Sequence, residues 1–155
     1  MLINTALDYL ERGLSVIPVN GATKKPTIPS WTEYQTRHAT EDEVRAWDKA
    51  GLLKGIAIVT GKISGITVVD VDTEEADREF QEACGDTLLE TPTVKTPNGG
   101  KHYYFKYDPQ LKTKAGYRPN IDIRNDGGYV IAPPTMNGNG NGYIFMPWLG
   151  IEVDC

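Results

Sequence analysis

The sequence predicts an α+β domain of antiparallel strands with flanking helices, rather than a doubly wound parallel sheet. Segments with helical apolar spacing and segments with strand-like alternation are mixed along the chain. Several strand-like segments are separated by glycine-rich turns, which are typical of hairpins. Neither G-x-G-x-x-G nor G-x-x-x-x-G-K-[ST] occurs, so the sequence supports neither a Rossmann nor a P-loop nucleotide site.

Size and composition fit one globular domain spanning residues 1–155. The chain has 155 residues, of which 39% are apolar and 24% are charged, which is enough for one core. No apolar run approaches the roughly 20 residues needed to cross a bilayer, and Asp8 and Glu11 interrupt the N-terminal segment too early for a signal peptide. We therefore expect a cytoplasmic protein with no membrane partner. Cys84 and Cys155 form no C-x-x-C pair and support neither a disulfide framework nor a zinc site.

The first part of the chain predicts helices separated by an apolar strand. Leu2–Arg12 has helical apolar spacing, and Leu14–Val19 is a short apolar strand. Thr40 and Glu43 have the spacing of a capping box, which predicts a helix from there to about Ala50.

The middle of the chain predicts two paired strands and another helix. The apolar segments Gly55–Thr60 and Ile66–Val71 lie on either side of a glycine-bounded loop, so we expect a hairpin. The helix is expected to begin at Asp72 or Thr73 and to continue to about Ala83.

The remaining segments predict strands separated by glycine-rich turns. The strands are expected at Thr93–Thr96, His102–Tyr107, Ile121–Arg124, Tyr129–Ala132 and Tyr143–Phe145. The P-N-G-G turn at 97–100 predicts a hairpin between the first two, and a second Gly-Gly turn separates the next two.

Two carboxylates lie two residues apart at the end of a predicted strand. Alternation along V-V-D-V-D directs Asp70 and Asp72 to one face, with Cα atoms about 6.6 Å apart. That spacing lets both carboxylates meet a pair of hard divalent cations, which prefer carboxylate and phosphate oxygens. The alternative is structural: Asp72 caps the next helix, with Glu75 completing the box, and Asp70 is an exposed strand end.

A third carboxylate comes from a comparable strand. In I-D-I-R, Asp122 and Arg124 share one face while two isoleucines enter the core. Asp122 is a candidate metal ligand, and Arg124 a candidate phosphate contact because its planar fork donates two hydrogen bonds at once. The alternative is a surface ion pair, worth roughly 0–1 kcal/mol.

The segment T-P-N-G-G-K-H suits an anion. Gly99 and Gly100 allow backbone N–H groups to approach a phosphate closely, and His102 is able to hydrogen-bond a triphosphate. The adjacent lysines of the loop K-K-P, Lys24 and Lys25, are further candidate phosphate contacts. The alternatives are a tight hairpin with an exposed histidine, and an exposed lysine without a specific role.

Charge is distributed unevenly along the chain, whose net charge is −5. Residues 70–90 hold nine acidic residues and one basic residue, whereas residues 95–124 hold seven basic and two acidic residues. This pattern suits metal ligands beside a phosphate-binding surface. It equally fits a solvated acidic helix followed by a solvated basic hairpin.

The order of these motifs is specific. An early Y-x3-G precedes an apolar strand and K-x-P-x4-W; then come a strand ending in D-x-D, the segment T-P-x-G-G-x-H-x-Y-F, and D-I-R-x-D-G-G-Y-V-x-A-P-P. In this order the chain resembles the N-terminal domain of bifunctional DNA primase–polymerases (Prim-Pol), a family of the archaeo-eukaryotic primase superfamily. The resemblance runs from about Tyr9 to Tyr143.

The resemblance implies a catalytic core like an RNA-recognition motif (RRM-like), with an antiparallel sheet and flanking helices, beside a smaller α/β subdomain. It implies template-directed nucleotidyl transfer, as DNA polymerase, primase or both, in plasmid, phage or mobile-element replication. The implied partners are a DNA template and primer, a dNTP or NTP, and a helicase domain or partner. We expect residues 1–155 to be one catalytic domain at the N-terminal end of a longer replication protein.

The resemblance also implies roles for the candidate residues. Asp70, Asp72 and Asp122 would bind two ions, Mg²⁺ or Mn²⁺, and His102 would complete the catalytic set by contacting the triphosphate. The implied nucleotide-binding residues are His102, Arg124, Lys25, Asn98, Gly99 and Gly100.

One position departs from the wider superfamily, and two other functions remain open. Gly100 stands where a Ser-x-His motif often has serine, so backbone amides of Gly99 and Gly100, or the Asn98 side chain, would have to replace the hydroxyl. The first alternative function is a catalytically degenerate nucleotide- or DNA-binding module. The second is a metal-dependent nuclease that uses the same carboxylates.

Overall fold

The computed structural model describes residues 1–85 and 91–146. Within them, helices and two antiparallel sheets confirm the α+β class. The helices are α1 (Leu2–Glu11), α2 (Glu41–Lys49) and α3 (Glu74–Cys84), with a 3₁₀ helix at Thr32–Gln35. The strands are β1 (Ser15–Pro18), β2 (Ile56–Val59), β3 (Ile66–Val71), β4 (Thr93–Lys95), β5 (Lys101–Lys106), β6 (Lys114–Arg118), β7 (Ile121–Arg124), β8 (Tyr129–Ala132) and β9 (Ile144–Phe145).

Both capped helices begin where short polar side chains bind the first turn. The predicted capping box of α2 is confirmed: Thr40 Oγ1 accepts a hydrogen bond from the Glu43 N–H, and Glu43 Oε1 accepts one from the Thr40 N–H. At α3 the cap is Thr73, whose hydroxyl accepts from the Ala76 N–H at 3.1 Å. The alternative in which Asp72 caps this helix is therefore wrong, and Asp72 lies outside the cap.

The smaller sheet has the strand order β1-β2-β8. Every residue of β1 and β2 is buried, and residues of both strands share one apolar cluster with residues of α1, α2 and the larger sheet. Continuous apolar sequence, rather than alternation, is typical of strands buried on both faces. Ile17, Ile56 and Ile58 are fully buried there and belong to the same apolar cluster as Val68 of the larger sheet.

The larger sheet has the order β6-β7-β3-β5-β4-β9, with β3 near its centre. The two faces of β3 have different neighbours. Val69 and Val71 pack with Ala76 of α3 in a second apolar cluster, whereas Val68 faces the main core. Asp70 follows the same alternation as Val68, so it lies on the face directed toward the smaller sheet.

The predicted hairpin between the segments Gly55–Thr60 and Ile66–Val71 is wrong. β2 pairs with β1 and β8, whereas β3 pairs with β5 and β7. The chain crosses between the sheets at Gly61, which has φ +95° and lies so close to Asp126 that a Cβ would meet its backbone. The second Gly-Gly turn, at 127–128, likewise connects the two sheets instead of closing a hairpin.

Strand β6 was not predicted from the sequence. All five of its residues are exposed, so it has no apolar alternation to reveal it. Over the described ranges, no helix has the length and apolar character of a membrane span.

Candidate active site

The candidate site lies at the end of β3. The Cα of Asp70 is opposite that of Asp122 on β7 and opposite that of His102 on β5. Directly opposite residues of an antiparallel sheet present their side chains on the same face. The three side chains therefore meet, although they come from separate parts of the sequence.

Asp72 joins this group from just beyond the strand. Its backbone N–H donates to the Asn120 carbonyl at 2.9 Å, so the chain still follows β7 at this point. Burial raises the pKa of the Asp72 carboxyl, and the negative charges of Asp70 and Asp122 raise it further. Three carboxylates thus act on one another electrostatically at one point of the sheet.

Two cationic or hydrogen-bonding groups balance part of this charge. His102 Nε2 lies 3.4 Å from Asp70 Oδ1, and Arg124 Nη2 lies 4.0 Å from Asp70 Oδ2. Burial opposes ionisation of Asp70, yet His102 and Arg124 together hold the pKa of its carboxyl below the ordinary value. Asp70 is therefore anionic at neutral pH although its side chain is only 16% exposed.

Asp122 has two partners of its own. Its Oδ2 lies 3.3 Å from Arg124 Nη2, and its Oδ1 accepts a hydrogen bond from the Gly116 N–H at 2.7 Å. Arg124 thus lies between Asp122 and Asp70, with a third of its side chain still exposed. That exposed part is available to an incoming anion.

His102 is buried, so the alternative of an exposed histidine is wrong. Its side chain is 8% exposed and its ring lies 6.1 Å from that of Tyr143. Nδ1 is buried and has no hydrogen-bond partner within residues 1–85 and 91–146. The orientation directs Nε2 to Asp70 and to the adjoining cavities.

The glycine turn packs against the end of β3. Asn98 and Gly100 line a small cavity of about 100 Å³ that Asp70, Asp72 and His102 also line. A Cβ on Gly100 would lie 2.4 Å from the Val71 carbonyl oxygen and 3.3 Å from the Asp72 Cα. A side chain at this position has no room, which explains physically why serine is absent from it. Gly99 lines a different cavity on the other side of the turn.

A larger cleft of about 280 Å³ continues from the carboxylates between the two sheets. Trp31 and Tyr129 line it and are in edge-to-face contact, with ring centroids 5.1 Å apart. Lys24 lines both cavities, and its carbonyl accepts a hydrogen bond from the Tyr129 hydroxyl. Lys25 lines neither cavity among those described, and its phosphate contact stays a prediction.

Three of these residues, Trp31, Tyr129 and Tyr143, were not predicted from the sequence. Lys24 was one of the two lysines that the K-x-P motif offered as phosphate contacts. Trp31 and Tyr129 reach the cleft through packing of loop and sheet, and Tyr143 through the return of the chain beside β5. No local pattern identifies such contacts.

Divalent cations fit the donor chemistry of this site. Carboxylate oxygens from Asp70, Asp72 and Asp122 are the ligands that Mg²⁺ and Mn²⁺ prefer. Burial first, and then repulsion from Asp70 and Asp122, raises the pKa of Asp72, and a bound cation would relieve the repulsion. Over residues 1–85 and 91–146, no three His, Cys, Asp or Glu side chains are already arranged as a ligand set. Asp70 contacts His102, and Asp122 contacts Arg124 and the Gly116 N–H.

Comparison with known proteins identifies the family of the chain. The family model described as "Bifunctional DNA primase/polymerase, N-terminal" matches residues 6–151, a range that includes every residue of the candidate site. A search of curated protein sequences gave no match. By the extent of the family match, the chain belongs to the bifunctional DNA primase/polymerase N-terminal domain family, whose members act on DNA and nucleotides by nucleotidyl transfer.

Proposed function

We propose that this domain joins nucleotides on a DNA template with Asp70, Asp72 and Asp122 as the ligands of two divalent ions, Mg²⁺ or Mn²⁺. One observation carries the proposal: Asp70 and Asp122 are direct cross-strand neighbours, and Asp72 is so close that their charges add to burial in raising the pKa of its carboxyl. This arrangement concentrates negative charge where a structural role would not need it.

When bound, the ions supply positive charge to the transferring phosphate and lower the pKa of the attacking 3′-hydroxyl. The protein contributes position and electrostatics. Asp70 is held ionised by His102 and Arg124, and the Gly116 N–H fixes one oxygen of Asp122. These contacts keep two of the three carboxylates oriented before any substrate arrives.

We assign triphosphate binding to the hydrogen-bond donors and positive charges around the small cavity and beside it. His102 borders both cavities, and Arg124 is partly exposed beside Asp70 and Asp122. Asn98 and the backbone of Gly100 contribute the wall formed by the turn, whereas Gly99, which lines a different cavity, is retained only from the family resemblance. Lys24 adds a positive charge, and Lys25 is retained as a weaker candidate because it adjoins Lys24 in the chain.

We propose that the nucleoside of the incoming nucleotide binds in the cleft between the two sheets. Its volume of about 280 Å³ is near the lower end of the range typical of small-molecule sites. Trp31 and Tyr129 supply apolar aromatic surface there. On the family resemblance, we extend the proposal to residues 1–155 as one catalytic domain of a longer replication protein from a mobile element, working beside a helicase.

Primer extension tests the assignment. Wild-type protein, Asp70→Asn and Asp72→Asn would be compared on a labelled primer and template with Mg²⁺ or Mn²⁺ and either dNTPs or NTPs. Asp48→Asn is the matched control, since Asp48 is an exposed carboxylate on α2. We expect the two site variants to lose at least about a hundredfold in rate and the control to retain wild-type activity.

The same assay separates the proposal from its alternatives. Full incorporation by a folded Asp70→Asn protein would refute the metal assignment. Shortening of the labelled primer without added dNTPs would instead identify a nuclease. Metal-dependent dNTP binding by calorimetry, with no product from the wild-type protein, would identify a catalytically degenerate binding module.

A further inference from the structure

The edge strand β6 has features that the catalytic proposal leaves unexplained. It is the outermost strand of the larger sheet on its side, and all five residues, Lys114–Arg118, are exposed. Exposed edge strands usually carry devices that prevent unwanted pairing, and lysine is a common one. β6 carries such charges, but it also displays an aromatic side chain, which that purpose does not require.

Positive charge is concentrated along this segment. Residues 112–120 read K-T-K-A-G-Y-R-P-N and contain three basic residues and no acidic one, in a chain whose net charge is −5. Lys112, Lys114 and Arg118 are all exposed. A local basic run on an acidic protein attracts a polyanion to one place rather than to the whole surface.

Tyr117 stands out among the described residues. Its exposed fraction is 47%, and within 1–85 and 91–146 it is the only aromatic among the strongly exposed large apolar side chains. The Arg118 guanidinium carbon lies 5.6 Å from the centroid of the Tyr117 ring. A ring beside a guanidinium offers an unpaired base both a stacking surface and a nearby cation.

The segment is physically connected to the candidate active site. Gly116, with φ +66°, lies within an irregularity of the β6–β7 pairing, and its N–H binds the Asp122 carboxylate. Thr113 lines the cleft between the sheets. A strand of nucleic acid lying on Lys112–Arg118 would therefore pass from the cleft along the edge of the carboxylate cluster.

We propose that residues 112–118 form a binding surface for single-stranded DNA. Tyr117 stacks on one base, while Lys112, Lys114 and Arg118 contact the phosphates on either side. An unpaired strand is required because bases in a duplex do not offer a free face to a side chain. The inference rests on the proposed function, since the strand bound here is the one delivered to the carboxylates.

Fluorescence anisotropy with a labelled single-stranded oligonucleotide, without metal or nucleotide, tests the surface. Tyr117→Ala is expected to weaken binding at least about fivefold, the lower limit for losing one stacked base, while Tyr117→Phe keeps the ring and the affinity. Arg118→Ala is expected to reduce the slope of log K against log salt concentration by about 0.7, the value for one contact to a single strand. Lys49→Ala, which removes an exposed lysine of α2, is the control and should change neither quantity.

Two outcomes would overturn the inference. One is wild-type affinity and salt dependence in both Tyr117→Ala and Arg118→Ala. The other is equal competition by a blunt duplex of the same length. Asp70→Asn separates this inference from the catalytic proposal, because it is expected to abolish extension while single-strand affinity stays at or above that of the wild type.

Discussion

At the scale of a single residue, Gly100 is the point at which the glycine turn packs against the end of β3. The turn approaches β3 so closely that an added Cβ would collide with the Val71 carbonyl oxygen at 2.4 Å. Backbone cannot move away as easily as a flexible side chain, so Val71 and the adjacent Asp72 must shift. The position of one carboxylate thus depends on the absence of a side chain across the turn.

Gly100→Ala is therefore expected to lower both stability and extension activity. Overpacking of this kind costs about 1–3 kcal/mol in the free energy of unfolding, measurable by urea denaturation. Gly138→Ala, in an exposed turn, is the matched control: its added Cβ would meet only the Ala22 side chain, at 3.2 Å, and no backbone closer than 3.8 Å, so its effect on stability is expected to be smaller than that of Gly100→Ala. Wild-type stability and extension in Gly100→Ala would show that the turn does not determine where Asp72 lies.

The hydrogen bonds of the Asn125 side chain hold the end of β7, the strand that carries Asp122. It is fully buried, and its side-chain amide donates to the Asp108 and Leu111 carbonyls at 2.9 and 2.7 Å. Its Oδ1 accepts from the Thr67 hydroxyl at 3.0 Å. A buried amide with all these bonds made stabilises one arrangement of β7 and of the loop before β6.

At the scale of secondary-structure elements, the stability of the first turn of helix α2 depends on pH. The hydrogen bond from Arg37 lowers the pKa of Glu43 from 4.5 to about 2, against the opposing effect of burial and with help from the Tyr34 hydroxyl and the Thr40 N–H. Because the folded pKa is below the unfolded one, this stabilisation is complete above about pH 4.5 and is lost as pH falls toward 2.

Glu43→Gln is expected to lower the thermal unfolding midpoint at neutral pH, by an amount equivalent to about 1 kcal/mol. The difference in unfolding midpoint between the variant and the wild type should become smaller as pH falls from about 4.5 toward 2, because the Glu43 carboxylate of the wild type is then protonated and loses its charge. Circular dichroism melts across this range measure it. Glu41→Gln is the control, since Glu41 forms an exposed ion pair with Arg45 on the same helix. A difference in midpoint between Glu43→Gln and wild type that does not change with pH would contradict the account.

Elements with local signals were predictable from the sequence. The capping box of α2 and the β4–β5 hairpin both depend on residues a few positions apart, and both are confirmed. Strand pairing was less predictable, because β2 is buried on both faces and its sequence does not specify its neighbours. β6 is exposed throughout, so nothing in its hydrophobic pattern distinguished it from a loop.

The same distinction applies to the candidate site. Asp70, Asp72, Asp122 and His102 were found because alternation along a strand fixes which side chains share a face. Their meeting depends on register between strands, which the motifs suggested only through the family resemblance. Trp31, Tyr129 and Tyr143 reach the cleft through the packing of loop and sheets, a tertiary contact that local sequence does not encode.

At the scale of the whole molecule, the acidic cluster of Asp70, Asp72 and Asp122 lies beside the cleft between the two sheets. Apolar residues from both sheets form one continuous core, so the cleft between them has rigid walls. The charged groups lie beside the glycine turn, where β3 ends and β5 and β7 begin. A net charge of −5 would repel DNA generally, and the basic segment 112–118 offers a local exception.

Manganese binding most directly tests the claim that three carboxylates form one ion site. Electron paramagnetic resonance measures free Mn²⁺ in titrations of wild-type protein, Asp122→Asn and the exposed control Asp48→Asn, with dNTP present. We expect wild type and control to bind equally, and Asp122→Asn to bind at least about tenfold more weakly, since one anionic ligand is lost. Wild-type Mn²⁺ affinity in a folded Asp122→Asn protein would contradict the account.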